Sequence, residues 1–175
     1  IQDVIMARVD LLPESSKELL QAGSVIEREF SYELIKRVTE FSDQELYTCL
    51  IPMKYSELIY EKGIFPQSTY AFKHSLTRDV VYNSILIKSK KKLHEKIGNA
   101  IEELYAENLP DYYGSLTKHF ISSENYEKGA DYCKLVSQLA IKTGSINEAI
   151  ACGIKQVACL EKLPKTDAVV KKLIN

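Results

Sequence analysis

From Pro13 onward, apolar residues recur at the three- and four-residue intervals of helices packed on one side. Pro13-Glu14-Ser15-Ser16-Lys17-Glu18-Leu19-Leu20 sets a proline in a first helical turn, acids near the positive dipole end and leucines behind them. Gly23 is expected to end this helix. Ser31 is placed to cap a second helix carrying Tyr32, Leu34, Ile35 and Val38. Ser42-Asp43-Gln44-Glu45 reads as a capping box, in which the serine and the glutamate satisfy each other's orphan amides. A third helix therefore starts at Asp43, with Leu46, Leu50 and Met53 on one face; Pro52 lacks a backbone donor and should bend it or limit its length.

The period then changes. Leu58-Ile59-Tyr60-Glu61 and Thr69-Tyr70-Ala71-Phe72 are β-rich runs separated by a stretch containing Gly63, Pro66 and Ser68, which together read as a hairpin. Three helices and a hairpin make a winged helix. A further helix is expected over about 74–87, with Leu76, Val80, Val81 and Ile85 as its apolar side. Beyond it Leu93, Ile97, Ala100, Ile101 and Leu104 repeat at helical intervals, and a break containing Pro110 and Gly114 follows. Helices are expected over 116–122, 126–143 and 146–163, and another begins at Thr166-Asp167. The breaks Ser122-Ser123-Glu124-Asn125 and Gly144-Ser145 are short enough to force antiparallel neighbours. Tyr126-Glu127-Lys128-Gly129-Ala130 and Ile146-Asn147-Glu148-Ala149 look alike, with small residues suited to helix pairs in close contact. Their offset is about 20 residues, shorter than the roughly 34 of a regular tetratricopeptide (TPR) repeat.

The expected fold is mainly α: a winged-helix domain with flanking helices over 1–87, then an irregular TPR-like antiparallel helical array over 88–175. The chain opens on Ile1 and stops at Asn175 inside a helical pattern, so it is expected to be a piece of a longer protein.

Composition narrows the function classes. The 175 residues, 45% hydrophobic and 27% charged, have the make-up of an ordinary soluble protein with one substantial core or two small ones. A net charge of -1 argues against a general nucleic-acid binder, because phosphate affinity comes from Lys and Arg. The one basic run, Lys88-Ser89-Lys90-Lys91-Lys92-Leu93-His94, suits an acidic partner, phosphates or simply a solvated helix start. Cys49, Cys133, Cys152 and Cys159 show no CxxC spacing and are expected to be buried reduced thiols. No apolar run approaches the roughly 20 residues of a membrane span and no signal peptide is evident, so a cytoplasmic protein without a membrane partner is expected. His94 and His119 read as packing or capping residues, and the three histidines share no metal-ligand spacing. Tyr105, Tyr112, Tyr113, Tyr126 and Tyr132 either line a peptide groove or fill space between helices. No residues assemble a catalytic centre or a metal site.

One ligand site suggests itself. The strand ending at Phe72 runs directly into a helix, which places His74 where unpaired N–H groups and the positive dipole end favour an anion. His74 reads either as a phosphate sensor or as a helix-start residue bonded to a nearby carbonyl. Arg78 lies one turn on, on the same face, with Asp79 beside it, in either a domain interface or a surface ion pair; Lys73 reads as solvated.

The stretch from Leu12-Pro13 through Glu29-Phe30, the hairpin, and Phe72-Lys73-His74-Ser75-Leu76-Thr77-Arg78-Asp79 with Tyr82, Leu86 and His94 resembles a particular bacterial architecture. It is similar to the segment after the nucleotide-binding core in signalling ATPases of the STAND class, many of them fused to class III adenylate or guanylate cyclase domains. In that class a winged helix is followed by TPR-like helices, and a histidine in a Met-His-Asp type motif contacts the diphosphate of ADP in the resting state. The resemblance implies that role for His74, with Leu76 and Arg78 at matching positions, although Ser75 stands where the motif has Asp.

There is no GxxxxGK[ST] loop in these residues, so no hydrolysis and no cofactor are expected here; ATP or ADP with magnesium belongs to the parent protein. The expected function is non-catalytic: regulation and protein interaction, with the upstream nucleotide-binding domain of the same chain and an unknown protein on the helical array as partners. One rival is a DNA-binding transcriptional regulator. Its recognition helix, starting at Asp43 and reaching about residue 57, would offer Asp43, Gln44, Glu45, Tyr47, Thr48 and Lys54 but no arginine, and the wing adds only Lys62 and Lys73. Base readout rests on Arg or Lys, so DNA is not the expected partner. A nucleotide-independent TPR scaffold is the third reading.

Overall fold

The computed structural model describes residues 2–64 and 67–174. It is mainly helical, with ten α-helices and a three-stranded antiparallel sheet among the described residues. The chain divides into two compact units, 1–93 and 94–175.

The first unit begins with a helix that the apolar spacing did not announce, α1 (Gln2–Asp10), which buries Ile5 and Val9. After Pro13, α2 (Glu14–Ile26) runs three residues beyond the expected stop at Gly23. The glycine has a different task there. A Cβ at Gly23 would lie 2.6 Å from Phe30 Cε1, so its bare backbone lets the aromatic ring lie against the helix. The second addition is β1 (Glu29–Ser31), three residues long and too short for an alternation signal. In α3 (Tyr32–Thr39) the Ser31 hydroxyl accepts from the Leu34 N–H at 3.2 Å, as the sequence suggests. The capping box of α4 (Asp43–Tyr55) is present: Ser42 Oγ accepts the Glu45 N–H at 3.3 Å and Glu45 Oε2 accepts the Ser42 N–H at 2.7 Å. Leu46, Cys49, Leu50 and Met53 form its buried face, and the helix closes one turn after Pro52, whose carbonyl accepts the Ser56 N–H.

The hairpin of β2 (Ile59–Lys62) and β3 (Thr69–Phe72) is present, but β1 pairs on the other side of β3, giving the order β1-β3-β2. Pro66, expected in the turn, lies outside the described residues. The central strand carries Tyr70, Ala71 and Phe72, all buried. Next, α5 (Ser75–Ser84) stops earlier than the expected residue 87, because Ile85 is extended and α6 (Ile87–Leu104) begins as a separate helix. Its buried face is Thr77, Val80 and Val81, not Leu76, which is 37% exposed. Both α1 and α2 pack on α5.

In the second unit a 3-10 helix (Ala106–Tyr112) occupies the break around Pro110, and α7 (Tyr113–Ser122) starts three residues before the expected Leu116, taking Gly114 into the helix. α8 (Tyr126–Lys142), α9 (Ile146–Glu161) and α10 (Asp167–Ile174) follow. α8 packs on both α7 and α9. Ala130 and Ala149 are buried, consistent with close helix contact. Expected apolar positions Ile97, Ala100 and Ile101 are buried, while Leu104 is exposed. Glu102 joins α6 to α8, accepting from Lys128 Nζ and from the Tyr132 hydroxyl, each at 2.6 Å. All four cysteines are buried outside any disulfide, and burial pushes the Cys133 thiol up to about 12, which keeps it protonated at neutral pH. Among the described residues, three helix ends leave a non-glycine residue at positive φ: Glu40 after α3, Glu57 after α4 and Glu124 after α7. No helix among the described residues is long and apolar enough to cross a membrane.

The Gly23 contact sets two effects against each other. Alanine gains roughly 1 kcal/mol of helix propensity, whereas forcing a methyl into a packed site costs about 1–3 kcal/mol. Gly23→Ala is expected to destabilise the chain by about 1 kcal/mol, and Phe30→Leu added to it to destabilise less than the sum of the two changes. Chemical denaturation of the two single variants and the double variant reads the outcome.

Candidate functional site

β3 delivers its last residues to the start of α5 under tight backbone control. The Phe72 N–H bonds to the Arg28 carbonyl and the Lys73 N–H to the Leu58 carbonyl, each at 3.0 Å, so sheet-like bonding continues one residue past the strand. His74 then takes an extended conformation (φ -134°, ψ 141°) as the N-cap of α5. Its carbonyl accepts the Thr77 N–H at 3.0 Å, but its side chain makes no capping bond. Unlike Ser or Asp, an imidazole is too bulky to fold back on its own first turn. His74 is exposed at the positive end of α5, whose first turn contains no acid. Lys73 is not simply solvated; it pairs with Glu57 at 3.0 Å and holds that carboxyl below the usual range, with lesser help from Arg8 and His74.

Arg78 is engaged elsewhere. Its Nε donates to the Ser24 carbonyl at 2.8 Å, its NH1 lies 3.0 Å from Asp79, and its guanidinium sits 4.8 Å from the centre of the Tyr82 ring. The Ser24 carbonyl belongs to the last turn of α2, where acceptors are orphaned and a cation is favoured. Arg78 therefore fastens α5 to α2, and the surface beyond α5 receives His74 without it. Lys90, from the basic run, covers the same Tyr82 ring at 4.4 Å.

The second unit holds a pair that the sequence left as two separate packing residues. His94 on α6 and His119 on α7 are both buried, with Nδ1 atoms 2.9 Å apart. Such a contact needs one N–H donor and one lone pair, so a single proton lies between the rings. His119 Nε2 is buried without a hydrogen-bond partner. A bare acceptor there is cheaper than a bare N–H, which assigns the shared proton to His119 Nδ1 as donor and His94 Nδ1 as acceptor. Each histidine falls on the apolar stripe of its helix, with Ile97 and Ile101 on one and Leu116 and Phe120 on the other; that stripe was the available signal, but the 25-residue separation hid the pairing. No group of three or more His, Cys, Asp or Glu among the described residues is arranged to hold a metal.

Burial, then the His94 ring and Lys118, lowers His119 from the ordinary 6.5 to about 3. Above pH 6.5 folded and unfolded chains both hold it neutral. Between 6.5 and about 3 only the unfolded chain takes up the proton, so stability falls with acidification by up to about 1.4 kcal/mol per pH unit for this one group. His119→Gln is expected to flatten that slope by one proton, as read from denaturation midpoints at pH 7, 6 and 5. No protein-family model matches the chain, and no curated protein matches it.

Proposed function

We propose that this chain is a non-catalytic regulatory and protein-interaction segment of a multidomain signalling ATPase of the STAND class or of a nucleotide cyclase, coupling nucleotide state to signal input. The observation that carries the reading is His74, exposed at the start of α5, directly downstream of the central strand and with no acid in the adjoining turn. That arrangement fits one edge of a diphosphate. The remaining contacts and the magnesium would belong to a nucleotide-binding domain upstream in the parent chain.

The order α2, β1, α3, α4, β2, β3, with the short first strand paired to the last, supports a winged helix in the first unit. The short connections from α7 to α8 and from α8 to α9 support an irregular TPR-like array in the second. Bound nucleotide supplies the difference in free energy between diphosphate and triphosphate states, and His74 can bias domain arrangement only by contacting one state better.

The charge pattern favours a protein-facing winged helix over a DNA-reading one. Lys36 pairs with Asp43, Lys54 with Glu61, Lys62 with Glu29 and Lys73 with Glu57. Exposed pairs of this kind are weak and could open, but each leaves a carboxylate beside the cation it would release. The start of α4 carries Asp43 and Glu45, which a phosphate-lined groove repels.

The test is calorimetric titration of the parent chain, including its upstream nucleotide-binding domain, with ADP. His74→Ala is expected to weaken ADP by about ten- to a hundredfold, the value of one hydrogen bond to a charged group. Unchanged affinity together with unchanged activation would overturn the sensor role and leave the nucleotide-independent scaffold.

A further inference from the structure

A cavity of about 250 Å³ opens within the first unit beside α3, α4 and the β2–β3 hairpin. Tyr32, Tyr47 and Tyr70 line it together with the buried Leu50, and the lining is mostly apolar. Two of the three rings are held in place by carboxylates on the same lining. The Tyr32 hydroxyl donates to Asp43 Oδ1 at 2.6 Å, and the Tyr70 hydroxyl to Glu61 Oε1 at 3.0 Å. Tyr70 is also backed by Phe30, with ring centres 6.0 Å apart. Tyr47, by contrast, is 61% exposed on a helix whose neighbouring Leu46 and Leu50 are buried.

The charged groups at the cavity form two ion pairs. Asp43 and Glu61 line it against a single cation, Lys54, whose Nζ is 2.8 Å from Glu61 Oε2. Lys36 bonds Asp43 at 2.6 Å without contributing to the lining. Both bonds to Asp43 fall on Oδ1, which leaves Oδ2 able to accept another donor.

We infer that this cavity is a binding site for a small organic cation, an alkylammonium group on a compact apolar body. Aromatic faces attract cations through their quadrupole, and quaternary and methylated ammonium groups are the ligands that clusters of aromatic rings hold best. Each carboxylate already faces a lysine, so the preference for a cation rests on the tyrosine rings and on Asp43 Oδ2, which is left to accept from the ligand's polar end. At roughly 30 Å³ per water, the volume corresponds to about eight waters, which suits a ligand of about that many heavy atoms. The site is separate from the His74 surface and gives the first unit a chemical input independent of nucleotide.

The test uses the ¹⁵N-labelled chain, titrated with choline and with its neutral isostere 3,3-dimethylbutan-1-ol, amide shifts being the readout. Choline is expected to shift amides clustered on α3, the first turns of α4 and the hairpin, with a dissociation constant of about 1–10 mM. The isostere, identical in shape but uncharged, is expected to bind about tenfold more weakly. Tyr47→Ala removes an exposed side chain and should leave the spectrum folded while weakening choline about tenfold; Asp43→Asn should weaken it in the same direction. The inference is overturned if the isostere binds as tightly as choline, if Tyr47→Ala has no effect, or if no clustered shifts appear by about 50 mM choline.

Discussion

The first unit depends on where the Phe30 ring lies. It sits against the bare backbone of Gly23, with Tyr70 at 6.0 Å and Phe72 edge-on at 6.1 Å, so one side chain joins α2 to the sheet. Because interiors are close-packed, the ring cannot be displaced by even a methyl group without a shift of strand or helix. Backbone pairing sets β1 beside β3, and β3 in turn holds the residues that lead to His74. The fold thus transmits a packing constraint on α2 to the conformation at the start of α5, through backbone bonds from Phe72 and Lys73.

How much of this could be read from the residues depended on the range of the interactions involved. Caps are local, and Ser31 and the Ser42 to Glu45 box were legible because donor and acceptor lie three residues apart. The hairpin and the long helices were legible through their periods. Gly23 was misread because a glycine that stops a helix and a glycine that admits a ring are the same letter; the difference lies in Phe30, seven residues on and across a turn. β1 is not legible because three residues carry no period; of the apolar side expected for α5, Val80, Val81 and Ile85 are buried, and only Leu76 gives way to Thr77. His74 was correctly placed at a helix start, but the engagement of Arg78 with Ser24 depends on a partner 54 residues away.

One polar arrangement recurs in both units. Tyr32 and Lys36 share Asp43; Tyr70 and Lys54 share Glu61; Tyr132 and Lys128 share Glu102. Each set couples a phenol to a cation through one carboxylate, and each ties a helix to another element. The carboxylates of Asp43 and Glu61 are held below their usual range, chiefly by their lysine bonds, while burial raises the phenols of Tyr32, to about 12, and Tyr70.

The three glutamates at positive φ carry a consequence for how the chain comes apart. A side chain in the left-handed region costs about 1–2 kcal/mol, and a carboxylate at a helix C-terminus faces the negative end of the dipole. Glu40, Glu57 and Glu124 therefore mark points where the backbone gains by unwinding, and they fall between α3 and α4, between α4 and β2, and between α7 and α8. Local opening is expected to start at such places. α4 is bounded at both ends by one of them, but its buried Leu46, Leu50 and Met53 hold its middle to the core, so fraying is confined to the turns at its two ends.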